Sequence, residues 1–442
     1  MDAVEKKIID LIDQNKEEIL EFARDIYSHA ELGYKEFRTS QKFVEFMKKK
    51  NLPVTEGLAV TGAKAYLNEE KKENASLALI GELDALRIPN HKYANPDTQA
   101  AHCCGHHAQL TGLIGAAIAL TDPEVASALD GQIIFFAVPA EEYGEVEFKN
   151  QLKEEGKIRY GGGKCELIRI GAFDDADLCV AHHSRGGNAI SFNQGSNNGF
   201  VSKVIRYHGK AAHAAGSPEK GVNALNAASL GLTALAYHRE TFRDQDHVRI
   251  HPIMTKGGDL VNVVPEEVVI ETLVRASNGP AICDASAKTD RAFFAGGAAL
   301  GATVEIETMP GYLPTIPQAP NPAVVEAARI AAEGTDYPVV IEDDFTRVNG
   351  GSTDVGDVQH LKPVYTFHTG GVEGNFHSAE FTVTDENLAY LETAKIFALS
   401  AYRLLRNGAA EAKKAVREYQ PKYTKDEYIA YMESQIRKEI RQ

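Results

Sequence analysis

Residues that could bind a metal ion are concentrated in four short segments of the chain. The densest is 101–109, where two cysteines and three histidines stand within six residues. Three further segments each offer a carboxylate or an imidazole, and they are 139–142, 181–183 and 375–378. Thiolate, imidazole and carboxylate groups are the ligands that zinc and similar divalent metals prefer. The combination predicts a metal site assembled from distant parts of the chain.

The turn Cys104-Gly105-His106 can direct a thiolate and an imidazole at one ion. A buried thiol beside a surface imidazole explains the same residues when they are taken alone, because cysteine is often buried for packing. The later donors favour metal binding, with Cys104 and His106 as ligands. Cys103 and His107 are then expected to pack nearby or to contact the ligands.

The remaining donors follow predicted strands or lie in a loop. Glu141 and Glu142 come after an apolar strand, where adjacent side chains point in opposite directions. One can therefore bind metal while the other acts as a general base, although a solvated loop pair is the alternative. The same alternation means that only one of His182 and His183 reaches the ion. His377 is expected to supply the fifth ligand from a remote part of the chain.

Composition and charge limit the class of protein. The 442 residues are 43% hydrophobic and 25% charged, which is ordinary for a globular enzyme with two domains. The net charge of −15 disfavours nucleic acid and anionic membranes as partners, since both need a basic surface. The chain has no apolar run of about 18 residues, no signal-peptide pattern and no regular spacing of its five cysteines. A cytoplasmic location with free or metal-bound thiols is the expectation.

The elements that must position these residues alternate between strands and helices. Buried strands are predicted at 76–81, 132–138 and 178–181. Helices are predicted at 3–27, 38–50, 109–120, 322–335 and 385–406. This alternation predicts an α/β domain with a mixed, mostly parallel sheet. Ligands bind at the carboxyl ends of the strands in such a sheet. A predicted strand ends just before, or at, each of Asp84, the glutamates at 141–142 and the histidines at 182–183.

A change of pattern near residue 197 indicates a second domain. Residues 197–308 follow the order strand-helix-strand-strand-helix-strand, which is the ferredoxin-like order. The catalytic domain is therefore expected to comprise 1–196 and 309–442, with 197–308 inserted as an α+β domain. The charged segment 411–442 has a helical pattern, which predicts a surface helix or helix pair, with an oligomer contact as the alternative.

Three polar residues of this inserted domain are candidate functional residues. His213 is surrounded by small residues in the run 209–215, which indicates close approach of another surface. Arg275 ends an apolar strand, where an unpaired guanidinium is costly, so we expect a carboxylate partner from the protein or from a substrate. Asn262 is a further polar candidate.

Together these segments resemble the amidohydrolase branch of the aminoacylase/carboxypeptidase family, peptidase family M20. The resemblance covers nearly the whole chain, and its motifs stand in order at 31–40, 82–86, 102–106, 139–142, 209–214, 262–265 and 377–381. The run 352–358 is similar, more specifically, to aminobenzoyl-glutamate hydrolases and their relatives. Three departures from the family pattern lie beside the pocket. His107 stands where the family usually has aspartate, and Gln109 stands where a histidine is common. Ser184-Arg185 stands where the family usually has His-x-Pro.

The resemblance implies a site for two divalent metal ions, usually zinc or manganese. The implied ligands are Cys104, His106, Glu142, His183 and His377. His183 is preferred to His182 because its spacing from Asp177 matches the family's interval. Glu141 is implied as the general acid/base, and Asp84 is expected to contact the ligands rather than the metals.

The resemblance also implies a homodimer formed through residues 197–308. In that dimer His213 would reach the active site of the partner subunit. Asn262 and Arg275 would bind the substrate.

These inferences lead to the hypothesis of a metal-dependent amidohydrolase acting on a small N-acyl amino acid or a related, aminobenzoyl-glutamate-like amide. A metal-activated water would attack, with Glu141 as general base. A dipeptidase or carboxypeptidase of the same fold is the nearest alternative. A hydrolase with Cys104 as nucleophile and His106 as base leaves the other predicted ligands unexplained. A non-catalytic dimeric binding protein disagrees with the retained Glu141, and a zinc deaminase lacks its His-x-Glu motif before Cys-x-x-Cys.

Overall fold

Two separate β-sheets organise the chain, whose computed structural model describes residues 1–442. The strands, in chain order, are β1 (Val54–Leu58), β2 (Gly62–Leu67), β3 (Ser76–Glu82), β4 (Leu86–Arg87), β5 (Ala100–Ala101), β6 (Gln132–Val138), β7 (Leu178–Gly186), β8 (Ile190–Asn193), β9 (Ser196–Asn197), β10 (Gly199–His208), β11 (Arg249–Ile250), β12 (Ile253–Lys256), β13 (Glu267–Ala276), β14 (Thr303–Pro310), β15 (Val339–Glu342), β16 (Val348–Asn349), β17 (Val364–Glu373), β18 (Thr382–Val383) and β19 (Arg437–Arg441). The α-helices are α1 (Ala3–Gln14), α2 (Lys16–Ser28), α3 (Phe37–Lys49), α4 (His106–Leu120), α5 (Pro123–Ser127), α6 (Val146–Glu154), α7 (Gly163–Arg169), α8 (Ala224–Tyr237), α9 (Gly279–Leu300), α10 (Pro322–Ala331), α11 (Val355–Gln359), α12 (Thr393–Leu405), α13 (Ala410–Glu418) and α14 (Lys425–Ser434). No helix combines the length and the apolar composition needed to cross a membrane.

The larger sheet has the order β1-β2-β6-β3-β7-β17-β8-β15, with β18 beside β17. Its centre, β6-β3-β7-β17, is parallel, and antiparallel strands flank it. Every residue of β3 and β6 is buried, as expected for apolar strands covered on both faces. Helix α4 is buried along its whole length because α1, α2 and α12 pack around it. The predicted α/β fold with a mixed sheet is confirmed, and the carboxyl ends of β3, β6 and β7 meet at one edge.

The predicted helix over 3–27 is two helices, α1 and α2, which meet at Asn15. The Asn15 side chain donates a hydrogen bond of 2.7 Å to the carbonyl of Leu11, and its backbone leaves the helical region. Asparagine competes in this way with the helical backbone for hydrogen bonds. The apolar periodicity continues across the break, so periodicity alone predicted one helix.

The segment between β10 and β14 has the ferredoxin-like order, and its fold is confirmed. Its antiparallel sheet runs β11-β13-β10-β14, with β12 also paired to β13. Helices α8 and α9 pack closely, since an added β-carbon at Gly296 would lie 2.9 Å from the Cα of Gly231. Its second strand is divided into β11 and β12 around Pro252, which cannot donate to a strand ladder.

The prediction of helices over 411–442 is correct for α13 and α14 and wrong for the last residues. Strand β19 adds to the edge of the smaller sheet, antiparallel to β14. Helix α14 lies instead against the other part of the chain, where Tyr428 donates to Asp357 at 2.9 Å and Tyr160 donates to Glu433 at 3.0 Å. The segment 425–441 therefore bridges the two sheets. Its last strand is short and highly charged, as protected edge strands often are, so it carries no apolar alternation.

Removal of residues 437–442 is expected to leave the larger sheet intact and to loosen β14. Each lost backbone hydrogen bond contributes about 1 kcal/mol, so amide hydrogen exchange in β14 should increase several-fold. Exchange measured by mass spectrometry tests this. The double variant Lys438→Ala/Arg441→Ala keeps the backbone ladder and serves as the control. Unchanged exchange in the truncated chain would show that β19 does not stabilise β14.

Candidate active site

A cavity of about 700 Å³ lies at the carboxyl edge of the central parallel strands. Its walls come from the larger sheet and from the inserted domain, which contributes Phe200, Leu273 and Arg275. Strand β7 and the turns and loops beside the larger sheet contribute most of the predicted chemistry-bearing residues, namely Cys104, Glu141, Glu142, His183 and His377. The position is the one that the parallel strand order predicts.

Cys104 lies at the centre of the predicted ligands. Its Sγ is 3.4 Å from Nε2 of His183 and 3.3 Å from Nε2 of His377. The donor atoms of Cys104, His106 and His183 lie within 4.8 Å of one another. So do the donor atoms of Cys104, Glu142 and His377. The structure therefore brings all five predicted ligands together as two three-donor groups that share one sulfur.

The spacing of these donors fits bound metal ions. Ligands at zinc distances in a tetrahedral site lie roughly 3.3–3.6 Å apart. The two distances from Cys104 Sγ, and the 3.2 Å between His377 Nε2 and Glu142 Oε1, are close to this spacing. The Nε2 atom of His106 is buried without a hydrogen-bond partner, which is unusual for a polar atom unless it binds a ligand. The residues present thus fit a pair of divalent ions.

Backbone geometry and Asp84 orient the ligands. Gly105 has φ +90°, and a β-carbon there would overlap the Ser184 side chain, so the turn between the two ligands needs glycine. Asp84 is fully buried; its Oδ1 lies 3.1 Å from His106 Nδ1, and its Oδ2 accepts from the Glu142 amide at 2.8 Å. His106 therefore presents Nε2 to the cavity.

The adjacent carboxylates diverge after Ala140, which adopts φ +49°. Glu142 faces His377, whereas Glu141 lies 3.8 Å from His106 Nε2. Burial raises the pKa of Glu142, but contact with His377 and the charges of His377 and His106 outweigh it and lower the pKa to about 2. Burial, with the negative charges of Glu82 and Glu142, raises the pKa of Glu141 well above its usual range. Opposite shifts in neighbouring carboxyl groups are typical of sites where one group stays charged and the other exchanges protons.

The histidines beside the ligands pack within the protein. His182 Nε2 lies 2.7 Å from Thr369 Oγ1, and its ring packs against Phe367. Of the pair, only His183 has its Nε2 beside Cys104. His107 stacks on Tyr27 at 4.5 Å. The rings of His182 and His107 are therefore held by hydrogen bonding and packing rather than by contact with Cys104.

The three candidates of the inserted domain are divided between two locations. Arg275 lines the cavity, with its guanidinium 5.8 Å from the Phe200 ring centre, and forms no ion pair with a carboxylate of this chain. His213 and Asn262 are exposed neighbours, since the Ala214 amide donates to the Asn262 carbonyl at 3.0 Å. Neither of them lines the cavity of its own chain.

Sequence reasoning missed Glu82 and Lys164. Lys164 is fully buried and bonds Glu82 at 2.6 Å and Asp354 at 2.5 Å. Two signals could have found them. Glu82 precedes Asp84 by two residues and so shares its side of the extended chain, and Lys164 follows three glycines, a composition that permits close packing.

Comparisons with known proteins agree with this architecture. The family description "Peptidase dimerisation domain" of M20 matches residues 196–288. The chain is 27% identical over 422 residues to the Xaa-Arg dipeptidase of Mus musculus, covering 91% of this chain and 89% of that protein. It is 27% identical over 314 residues to one of the subunits of the p-aminobenzoyl-glutamate hydrolase of Escherichia coli (strain K12), covering 70% of this chain and 60% of that subunit. A Bacillus subtilis structure, described as a dinuclear metal-binding peptidase from the M20 family, has a TM-score of 0.58 at 20% identity and covers 88% of this chain and 98% of its own. The fold is that of a solved M20 structure, residues 196–288 match the M20 dimerisation domain, and the similar proteins are hydrolases that act on carbon–nitrogen bonds.

Proposed function

We propose that the protein is a metal-dependent amidohydrolase that cleaves the amide bond of an N-acyl amino acid or a related small amide. The observation that carries the proposal is the pair of three-donor groups that share the Cys104 sulfur beside the buried Glu141. A cysteine nucleophile would not need these donors, and burial raises the pKa of the Cys104 thiol well above its usual range. A thiol with a raised pKa is a poor nucleophile, which argues against that alternative.

Two divalent ions, zinc or manganese, would be held by Cys104, His106, Glu142, His183 and His377. Bound there, they would supply Lewis-acid activation of a water molecule and of the substrate carbonyl. Asp84 would keep His106 and the Glu142 backbone in place through the contacts already described. Such supporting contacts fix the orientation of ligands before the metal binds.

Glu141 would transfer the protons. Its Oε2 would accept a proton from the attacking water and deliver it to the leaving nitrogen. The raised pKa of Glu141 supports this role, because a carboxylate with an ordinary pKa is too weak a base near neutral pH. The neighbouring Glu142, whose pKa is about 2, would remain charged.

Arg275 would select substrates that carry a carboxylate. A half-buried guanidinium without a partner in the chain can form two parallel hydrogen bonds with a substrate carboxylate. N-acyl amino acids, aminobenzoyl-glutamate and dipeptides all carry one. The similarity to an Xaa-Arg dipeptidase favours a dipeptidase as the second candidate, and hydrolysis of a panel of these three substrate classes decides between the two.

The inserted domain would form a homodimer, and His213 and Asn262 would act in the partner's cavity. Both residues are exposed and lie together, outside the cavity of their own chain. The match of residues 196–288 to a dimerisation domain supports this arrangement. His213 would then help to stabilise the oxyanion that forms on the substrate carbonyl.

Hydrolysis is expected to stop after chelator treatment and to return with added zinc, manganese or cobalt.

Glu142→Gln should lower the metal content, whereas Glu141→Gln should keep the metal and lose about 10²–10⁴-fold in kcat. Activity on the substrate panel and elemental analysis measure both effects. Glu145→Gln, at a surface ion pair in the same loop, is the matched control and should change neither. Full activity in a verified metal-free preparation would contradict the proposal.

Arg275→Ala is expected to raise KM for substrates with a free carboxylate by about 10–100-fold and to spare their amidated analogues. The reason is that hydrogen bonds to charged groups contribute about 1.5–3 kcal/mol. Steady-state kinetics on paired acid and amide substrates measure the difference. Arg249→Ala removes the exposed cross-strand neighbour of Arg275 and is the control. Equal losses for acids and amides would indicate a structural role for Arg275.

Two inactive variants, Glu141→Ala and His213→Ala, are expected to restore activity when they form mixed dimers. In such a dimer one site combines the intact Glu141 of one chain with the intact His213 of the other, and the second site lacks both. Activity should return to about one working site per mixed dimer. Co-expression with two different affinity tags isolates the mixed dimers for assay. Inactive mixed dimers would mean that His213 acts within its own chain or has no catalytic role.

A further inference from the structure

Glu82 lies against the candidate metal centre but belongs to neither three-donor group. It ends β3, is 4% exposed, and lines the cavity. Its Oε2 lies 3.1 Å from Nε2 of His106, the buried atom that lacks a hydrogen-bond partner. The donor atoms of Glu82, His106 and Glu141 also lie within 4.8 Å of one another.

The orientation of the Glu82 carboxylate is fixed from two sides. Lys164 Nζ bonds Oε1 at 2.6 Å, and Gln109 Nε2 donates to Oε2 at 2.7 Å. The Glu82 amide donates in return to Gln109 Oε1 at 3.1 Å. Gln109 is one of the departures from the family pattern, and its side-chain amide both donates to the carboxylate and accepts from the backbone.

Lys164 is itself held rigidly. Its Nζ bonds Asp354 Oδ1 at 2.5 Å, and its backbone amide donates to Asp354 Oδ2 at 2.8 Å. Helix α7 also packs against the turn that carries Glu141, since a β-carbon at Gly163 would overlap the carbonyl of Pro139. The Glu82 carboxylate therefore has Oε1 committed to Lys164, while Oε2 accepts from Gln109 and also faces His106 Nε2.

We propose that Glu82 Oε2 is a sixth ligand of the metal centre, bound beside His106 Nε2 to the ion that His106 would hold; the inference rests on the proposed function. His106 Nδ1 is committed to Asp84, so its Nε2 is the atom available to the ion. The 3.1 Å between that atom and Oε2 is close to the roughly 3.3 Å between two ligands of a tetrahedral ion. The hydrogen bond from Gln109 uses one lone pair of Oε2, and its second lone pair is free for an ion beside His106 Nε2.

The test compares Glu82→Gln with Asp354→Asn in the full-length protein. Both variants remove one carboxylate from Lys164, but only Glu82→Gln removes the proposed ligand. Metal affinity is measured for each by competition with a chromophoric chelator, and coordination by the visible absorption of the cobalt-substituted protein. Thermal unfolding checks that both variants fold. If Glu82→Gln does not fold, Glu82→Asp replaces it, because aspartate keeps the charge but has a shorter side chain.

Glu82→Gln, or Glu82→Asp in its place, is expected to weaken one of two metal equivalents at least about tenfold and to change the cobalt spectrum. Asp354→Asn should retain the affinity and the spectrum of the unmodified protein. Unchanged affinity and spectrum in the Glu82 variants would overturn the proposal, as would equal weakening by Asp354→Asn. Failure of the unmodified protein to bind two equivalents would overturn the proposed function itself, and Glu82 with it.

Discussion

The concentration of buried acidic groups at one edge of the larger sheet is the constraint on which the rest of the site depends. The buried carboxylates there are Glu36, Glu82, Asp84, Glu141 and Asp354. Burying an uncompensated carboxylate costs several kcal/mol, so each must find a hydrogen-bond donor or a positive charge. Backbone amides donate hydrogen bonds to Glu36, Asp84 and Asp354. Lys164 forms ion pairs with Glu82 and Asp354. Glu141 accepts from neither a backbone amide nor a lysine, so burial and the charges of Glu82 and Glu142 raise its pKa, which suits this position to proton transfer.

The cavity depends on contacts between the part of the chain around the larger sheet and the inserted domain, which share an apolar cluster. The part of the chain around the larger sheet supplies the candidate metal donors, and the inserted domain supplies Arg275. Helix α14 and strand β19 connect these two parts of the chain. Helix α14 packs beside the larger sheet, and strand β19 extends the smaller sheet. The relative position of Arg275 and the donors is therefore set partly by the last residues of the chain, which lie far from the cavity in sequence.

The proximity of the candidate donors could be predicted because these residues follow strong local patterns. Strand alternation separates His182 from His183 and Glu141 from Glu142, and the parallel order of apolar strands brings their ends together. The pairing of Glu82 with Lys164 could not be predicted, since it joins the end of β3 to a glycine-rich turn 82 residues away and depends on tertiary packing. Strand β19 was missed for a related reason. An exposed edge strand needs no apolar face, so its composition resembles that of a surface helix.

The shared sulfur also bears on which metal the site would prefer. Thiolate ligands favour zinc, whereas manganese is better matched by oxygen donors. Both three-donor groups contain the Cys104 sulfur, and the first adds two imidazoles to it. The second group adds Glu142 and His377, which makes it the harder of the two. Because a common thiolate stands in both groups, the donor chemistry favours zinc throughout, and the carboxylate of Glu142 makes the second position the more tolerant of manganese.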